Sequence, residues 1–599
     1  MKIAEWNFFR VVKSIGWLLG GIILLGWSVD GGAEPLTLLT PLGPVTIDVS
    51  HVGPAGDLIS PEAPSSPSFR PPTIFSAPLP SGSGARALGM AGAFTALADD
   101  ATAASWNPGA LVQLQRPEVS WVLRYSYEDQ KHFSDNAAFQ VGDDQFDRFN
   151  LNYLSAVYPF ALGSRSAVFS LNYQEVYDFT QQFTAHMQDA ARNSREETKS
   201  ETYAETKEQT VHEDYSDHSY SDMRVTEYLT TQVTTPIDQM LSQDMLTDLS
   251  FDQQGIIDAI SPALAVEVLP SLSAGGTLNI YRDDLTGTGK IRSRMVGCYA
   301  GTSESVSKIF TRRETAGTYT YEGTAHLEPG GMVPIPIDIP FSGQGVIEPF
   351  SEEQRTSRSR GLLVEGTYEE INEFKSLSGL NATLGALWTV HRHLTLGATI
   401  DLPWTADATQ KKTVRNTATT YNETHTRVLD ETSTEEVEEK DVSFDFPLYW
   451  ALGATVKWTP RLYSTLDVNQ TLWSDFAFQA EGEEKINPLD GTPHGLHEID
   501  DCWAVKYGME YLMLFSSTEI PLRGGVGWEQ RPAIGRPDEF WVFSLGSGLS
   551  LGKDPGKLIL DIAYQYTMGR DVLGSLVPDQ PTSTDVDKQE VYVSGIWHF

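Results

Sequence analysis

The sequence predicts an all-β fold: a 14-stranded antiparallel transmembrane β-barrel with an N-terminal hatch or plug and long extracellular loops, by the pattern of about fourteen ribbon-like segments. Three observations carry that prediction. The segments alternate apolar and polar residues over about ten positions, the length a tilted membrane strand needs. Short and long connections between them alternate strictly, and the last segment ends on Phe599.

The alternation is clear in individual stretches. In EVSWVLRYSY, Val119, Trp121, Leu123, Tyr125 and Tyr127 share one face, while Ser120, Arg124 and Ser126 share the other. KLILDIAYQY sets Leu558, Leu560, Ile562, Tyr564 and Tyr566 opposite Asp561, Ala563 and Gln565. Successive strand side chains point to opposite faces, so each stretch is a ribbon with one apolar side. The expected strands are 117–127, 146–158, 165–177, 254–269, 271–283, 376–390, 393–404, 443–458, 461–474, 500–512, 517–531, 539–552, 556–567 and 587–599.

Soluble sandwiches also contain such ribbons. The connections exclude that reading. PFALGSR, the turn at Pro270, HRH, TPR and KDPG are short, whereas 178–253, 284–375, 405–442, 475–499 and 568–586 are long. Short turns on one side and long loops on the other define an outer-membrane barrel, and a sandwich has no reason to sort loop length by parity. Tyr158, Phe160, Trp458 and Trp597 fall near strand ends on the short-turn side, where an interfacial aromatic belt belongs.

Ahead of the barrel, Lys2, Arg10 and Lys13 precede the short apolar run Ile15 to Trp27, and small residues follow at Gly31 to Ala33. Residues 1–33 read as a secretory signal peptide, since the run is short for a bilayer span. Residues 34–80 read as a proline-rich periplasmic leader acting as a spacer. With 43 basic against 80 acidic residues the net charge is −37, which repels phosphates and excludes a nucleic-acid partner. Much of the acidic excess lies in the loops, where the pattern leaves open whether strands continue or the chain is mobile.

The stretch SGSGARALGMAGAFTALADDATAASWNPGAL, 81–111, is unusually rich in glycine and alanine. A phosphate-cradling loop needs a preceding strand, but prolines crowd the residues upstream. A barrel of this size has a lumen wider than its own side chains fill, so the segment reads as a plug at 81–116, with 117–599 forming the barrel. Pro108 and Gly109 make a sharp turn just before the first strand.

This stretch resembles the N-terminal segment of the FadL/TodX-type family of outer-membrane hydrophobic-compound transporters, and that of related PorV-like barrels. Ala98, Asp99, Asp100, Trp106, Asn107 and Pro108 match the family pattern, while Gly109 and Ala110 replace its alanine after proline. Weaker similarity runs through GLNATLGALWTVHRHLTLGATIDLPW, TLDVNQTLWSDF and VKYGMEYL. The resemblance implies a plugged barrel with a gap in its wall, passive transport of long-chain fatty acids or aromatic hydrocarbons, and a hatch role for Asn107 and Pro108. The PorV-like alternative is a structural or secretion-partner barrel that binds proteins. The expected partners are a hydrophobic small molecule, outer-membrane lipid and lipopolysaccharide, and the barrel-assembly machinery, to which a terminal phenylalanine is addressed.

An enzyme would need a nucleophile, a base and an orienting group; no enzyme is expected, and H-E-x-x-H does not occur. No cofactor and no metal are expected; HEDYSDH, His212 to His218, reads as a solvated charge run in preference to a calcium loop. The two cysteines, Cys298 and Cys502, fall on the same long-loop side. Either they form a disulfide that ties loop to rim, or they are free thiols with one packed under the loops.

Overall fold

In the computed structural model the described residues are 36–40, 43–47, 79–80, 82–134, 136–214, 220–283, 290–327, 337–515, 518–552, 556–572 and 582–599. The expected signal peptide lies outside them, as does most of the leader, of which two short paired strands, Leu36–Thr40 and Gly43–Ile47, are described.

Fourteen antiparallel strands close into a barrel. They are β1 (Glu118–Ser134), β2 (Asp144–Leu162), β3 (Arg165–Asp178), β4 (Ile256–Leu269), β5 (Leu272–Arg282), β6 (Ile337–His391) and β7 (Leu394–Asp401). The second half comprises β8 (Tyr449–Thr459), β9 (Leu462–Thr471), β10 (Cys502–Leu514), β11 (Glu519–Arg531), β12 (Asp538–Leu551), β13 (Leu558–Val572) and β14 (Thr582–His598). Closure is made by β14 on β1, with Val593 opposite Leu123 and Trp597 opposite Val119. Each expected strand is present, and the short turns PFALGSR, Pro270, HRH and TPR lie where the sequence places them, while most of KDPG lies outside the described residues.

Alternation along these strands sorts the side chains. Phe149, Leu171, Leu264, Leu380, Leu452 and Leu545 are exposed on the outside, although they are apolar. Asn172, Ser261, Asn279 and Asn381 are buried on the inside, although they are polar. An apolar exterior over a polar interior inverts a soluble protein and defines a barrel that spans a membrane. No helix among the described residues is long and apolar enough to cross one.

Over their described residues, the long loops 178–253, 284–375 and 405–442 continue as strands into a tall antiparallel sheet, here called the fin. Its order is Phe139–Val141, Gln181–Asp214, Tyr220–Gln254, Ile291–Leu327, the outer part of β6, Trp404–Asn422, Val428–Phe446 and Ala477–Ala480. At 34 and 35 residues, Gln181–Asp214 and Tyr220–Gln254 are roughly 110 Å long at about 3.3 Å per residue. Threonine-rich, alternating stretches favour extended strands, which decides the question the composition left open.

Both cysteines are free. Cys298 is exposed on the fin, opposite Thr367 and Asp248, whereas Cys502 is buried at the barrel rim opposite Thr471. Of the two alternatives, the Cys298–Cys502 bridge is therefore not formed: extending the loop into a strand carries Cys298 up the fin, away from the rim cluster that encloses Cys502.

Candidate functional site

Residues 82–114 lie inside the barrel and are almost wholly buried. Short helical turns at Ala85–Leu88, Ala103–Trp106 and Pro108–Gln113 wind through the lumen. Small side chains let this backbone come close to the wall, and the wall answers in kind. A Cβ added at Gly275 would meet Pro108 O at 2.5 Å; at Gly508, Met90 Cβ at 2.6 Å; at Gly525, Ala91 N at 2.5 Å. Gly385, Gly397, Gly453 and Gly546 are likewise occluded, by Asn107, Thr95, Ala96 and Gly89. These glycines belong to β5, β6, β7, β8, β10, β11 and β12, and Gly275–Gly385, Gly397–Gly453 and Gly508–Gly525 are direct cross-strand pairs. They form a belt on which the lumenal segment rests.

On β9, the strand between Gly453 and Gly508, the belt position is Asp467, opposite Gly453. Its Oδ2 accepts from the backbone N–H groups of Phe94 and Thr95, both at 2.8 Å. Ser544 Oγ accepts from Ala91 N at 2.7 Å. In the other direction, Ser273 Oγ donates to Gly109 O at 2.7 Å and Thr277 Oγ1 to Ala104 O at 2.8 Å. A segment this short in regular structure leaves many backbone groups unpaired, and the wall side chains satisfy them.

Asn107 and Pro108 are at the centre of this seating. Asn107 is fully buried; its Nδ2 donates to Thr95 O at 2.8 Å and to Ala386 O of the wall at 2.9 Å, while its Oδ1 accepts from Gly109 N at 3.0 Å. Pro108 opens the last helical turn, where its missing N–H costs nothing. Ahead of the preceding turn, the buried Asp100 Oδ1 accepts from Thr102 N at 2.9 Å and from Thr102 Oγ1 at 2.6 Å. Arg86 pairs with Asp99 and with Glu510 of the wall at 3.0 Å, and Glu510 is shared with buried Arg523, itself 2.5 Å from Asp561.

Above the segment lies a cavity of about 260 Å³. Its floor includes Leu88 and Trp106, and its walls include Tyr177, Tyr281, Tyr449, Trp473, Arg124, Lys506 and Lys588. Over one side stands a column of parallel rings. Tyr281 stacks on Trp404 at 4.0 Å, Trp404 on Phe446 at 4.5 Å, and Phe446 on Tyr177 at 4.9 Å. Phe374, Phe444, Phe476 and Phe478 extend this buried apolar cluster toward the loops.

The cavity also reaches an interruption in the wall. Strands β2 and β3 pair from Leu162↔Arg165 only as far as Tyr153↔Gln174. Beyond that point β2 stays with β1 and β3 stays with β4, each after a one-residue irregularity, at Asn152 and at Val176, and the freed edge of β3 is covered at Tyr177 and Asp178 by a short strand of the leader, Leu79–Pro80. Asn152 is wholly buried there, with no side-chain hydrogen-bond partner among the described residues. Across the opening, Arg148 of β2 pairs with Asp178 of β3, and Arg124 binds Glu175 at 2.7 Å and Asp178 at 3.1 Å.

Sequence reasoning located Asn107 and Pro108 but missed the glycine belt, Asp467, the ring column and the paired charges at the opening. The belt had a signal: glycine recurs mid-strand in LSAGGTLN, ATLGALW, LTLGATI, ALGATV and VKYGMEY, where it weakens a strand unless another backbone comes close. Among the described residues no group of three or more His, Cys, Asp or Glu side chains is arranged to hold a metal ion.

The geometry defines a class: a closed membrane barrel whose lumen is filled by its own N-terminal segment, with a cavity opening toward the wall. Among solved structures, the chain is similar to a FadL homologue of Pseudomonas aeruginosa, at 14% identity over 88% of this chain and 99% of that one, with a TM-score of 0.43. It is also similar to the CymD monoaromatic hydrocarbon channel, at 11% identity over 86% and 98% with a TM-score of 0.39. The Ralstonia pickettii toluene transporter TbuX gives 11% identity over 87% and 99%, with a TM-score of 0.39. No protein-family model and no curated protein matches the chain.

Proposed function

We propose that this chain is an outer-membrane barrel for passive passage of hydrophobic small molecules, with residues 82–114 acting as its hatch. The observation that carries the reading is the ring-lined cavity above a seated segment and beside a wall opening. Its volume favours compounds of aromatic-hydrocarbon size over long-chain fatty acids. A dry cavity of about 150 Å³ already admits benzene, so about 260 Å³ suits one substituted ring, while a long acyl chain needs more room. Apolar rings supply area and edge-to-face contacts, and Arg124, Lys506 and Lys588 are paired with Glu175, Glu529 and Glu590, whereas the lining Asp401 is in no ion pair among the described residues.

In this reading the solute enters past the aromatic cluster, rests on Trp106, and leaves sideways between β2 and β3 into the bilayer. The PorV-like alternative assigns the barrel to protein binding instead. Uptake of radiolabelled toluene, larger alkylbenzenes and long-chain fatty acids into cells with and without the protein tests the proposal. Saturable uptake of the single-ring compounds is expected. Equal uptake with and without the protein across the panel would refute it.

A further inference from the structure

Passage through the lumen gives no reason for a fin roughly 110 Å tall. The fin has long free edges. Beyond Met187, the strand Gln181–Asp214 pairs only with Tyr220–Gln254 among the described residues, so the other side of its backbone is unpaired. An exposed strand edge is a template for another strand unless its side chains forbid pairing. The opposite edge does forbid it: on Val428–Phe446, Asp430, Glu431, Glu435, Glu436, Glu438 and Glu439 stand almost without cations.

The edge at 192–208, RNSREETKSETYAETKE, is different. We propose that it pairs with the same edge of a second copy, antiparallel and centred on Ser200. In that register Arg192 faces Glu208, Arg195 faces Glu205, and Lys199 faces Glu201, each twice by symmetry, with Thr198 opposite Thr202. No like charges meet. A slip of two residues one way sets Glu201 against itself, and the other way Lys199 against itself. Like charges directly opposite destabilise a strand pair, so the register is specified. Arg192, Arg195, Glu201, Glu205 and Glu208 are exposed.

Direction decides where the second copy sits. The strand runs from barrel toward fin tip, so an antiparallel partner runs the opposite way and its barrel lies at the far end. The two barrels are then in opposing membranes, not in one. Ser200 stands about 60 Å beyond Gln181 at about 3.3 Å per residue, which puts the two rims about 120 Å apart. The contact is homophilic and joins two membrane surfaces.

The test uses the full-length exported protein in phosphatidylethanolamine–phosphatidylglycerol vesicles, with fin exposure checked by protease. Wild-type vesicles are expected to cluster, with a gap near that span in electron cryotomograms. Arg195→Glu and Glu205→Arg each set like charges opposite one another and are expected to slow clustering at least tenfold. Mixing the two variant populations restores opposite charges at both sites and is expected to restore clustering, as is the double variant. The substitutions are on an exposed strand, and heat-modifiable gel migration confirms that each barrel is folded. Dispersed wild-type vesicles would overturn the proposal, as would single variants that cluster normally. Mixed vesicles that stay apart would also overturn it, because the register shifted by four residues sets Arg195 against Glu201 and gains nothing from the mixture.

Discussion

Two adjacent glycines separate the seating of the lumenal segment from general strand stability. A Cβ at Gly525 points inward and meets Ala91 N at 2.5 Å, whereas one at Gly524 points outward and meets nothing nearer than Ser544 O at 3.8 Å. Gly525→Ala therefore forces the segment to retreat by about 1 Å, an overpacking cost of about 1–3 kcal/mol. That retreat also loosens the bond from Ala91 N to Ser544 Oγ, worth about 1 kcal/mol. Together these come to about 2–4 kcal/mol, which raises the unseated population on the order of 30- to 1,000-fold. In planar bilayers Gly525→Ala is expected to show frequent large openings, and Gly524→Ala to match the wild type. Equal behaviour of the two variants, both quiet or both leaky, would refute the claim that this belt holds the segment.

Three further outcomes follow from the same contacts. Asn107→Ala removes two donated bonds and one accepted bond in a buried site, an expected loss of about 3–5 kcal/mol in seating, read as raised conductance with an unchanged barrel melting temperature. Arg148→Ala removes the pair with Asp178 across the opening between β2 and β3, and uptake of a single-ring solute is expected to rise, with no change in ion conductance. Trp404→Ala breaks the ring column between Tyr281 and Phe446; half-saturation for a single-ring solute is expected to rise about tenfold, the equivalent of about 1.4 kcal/mol of stacking and contact area.

The barrel was legible because each strand solves the same local problem, apolar outside and polar inside, within its own ten or so residues. Strand ends from β3 to β12 fall within a few residues of expectation for that reason, apart from β6, which continues into the fin, and β8, which begins at Tyr449 and not at 443 because 443–446 end a fin strand. The fin was only half legible. Thr and Glu alternate along 196–208, but a two-sided polar strand has no buried face to announce it, and its pairing depends on partners far away in sequence. Asn107 was singled out by resemblance to a family motif, and the structure places it at a local turn, its Oδ1 accepting from Gly109 N. The partners in the wall were not legible in the sequence. Ala386 lies 279 residues from Asn107, and Asp467 lies 373 residues from Phe94, so only closure of the barrel brings them together.

The lumen is too charged to pass an apolar solute from one end to the other. Below the cavity, the layer of Arg86, Glu510, Arg523 and Asp561 is tied to the seated segment, and an apolar molecule crossing it would separate buried ion pairs, at several kcal/mol for each. The cavity is lined by rings as well as by charged side chains, and β2 and β3 part beside it, past Tyr153 and Gln174. A solute moving from the ring column to that opening stays above the charged layer. At the opening it must part the pairs of Arg148 and Arg124 with Asp178 and Glu175, and the bond from Asn150 to Glu175. Under the proposed function a seated segment and an apolar route are then compatible, because they use different exits: the segment would seal the axis against water and ions, and the wall would release the solute into lipid.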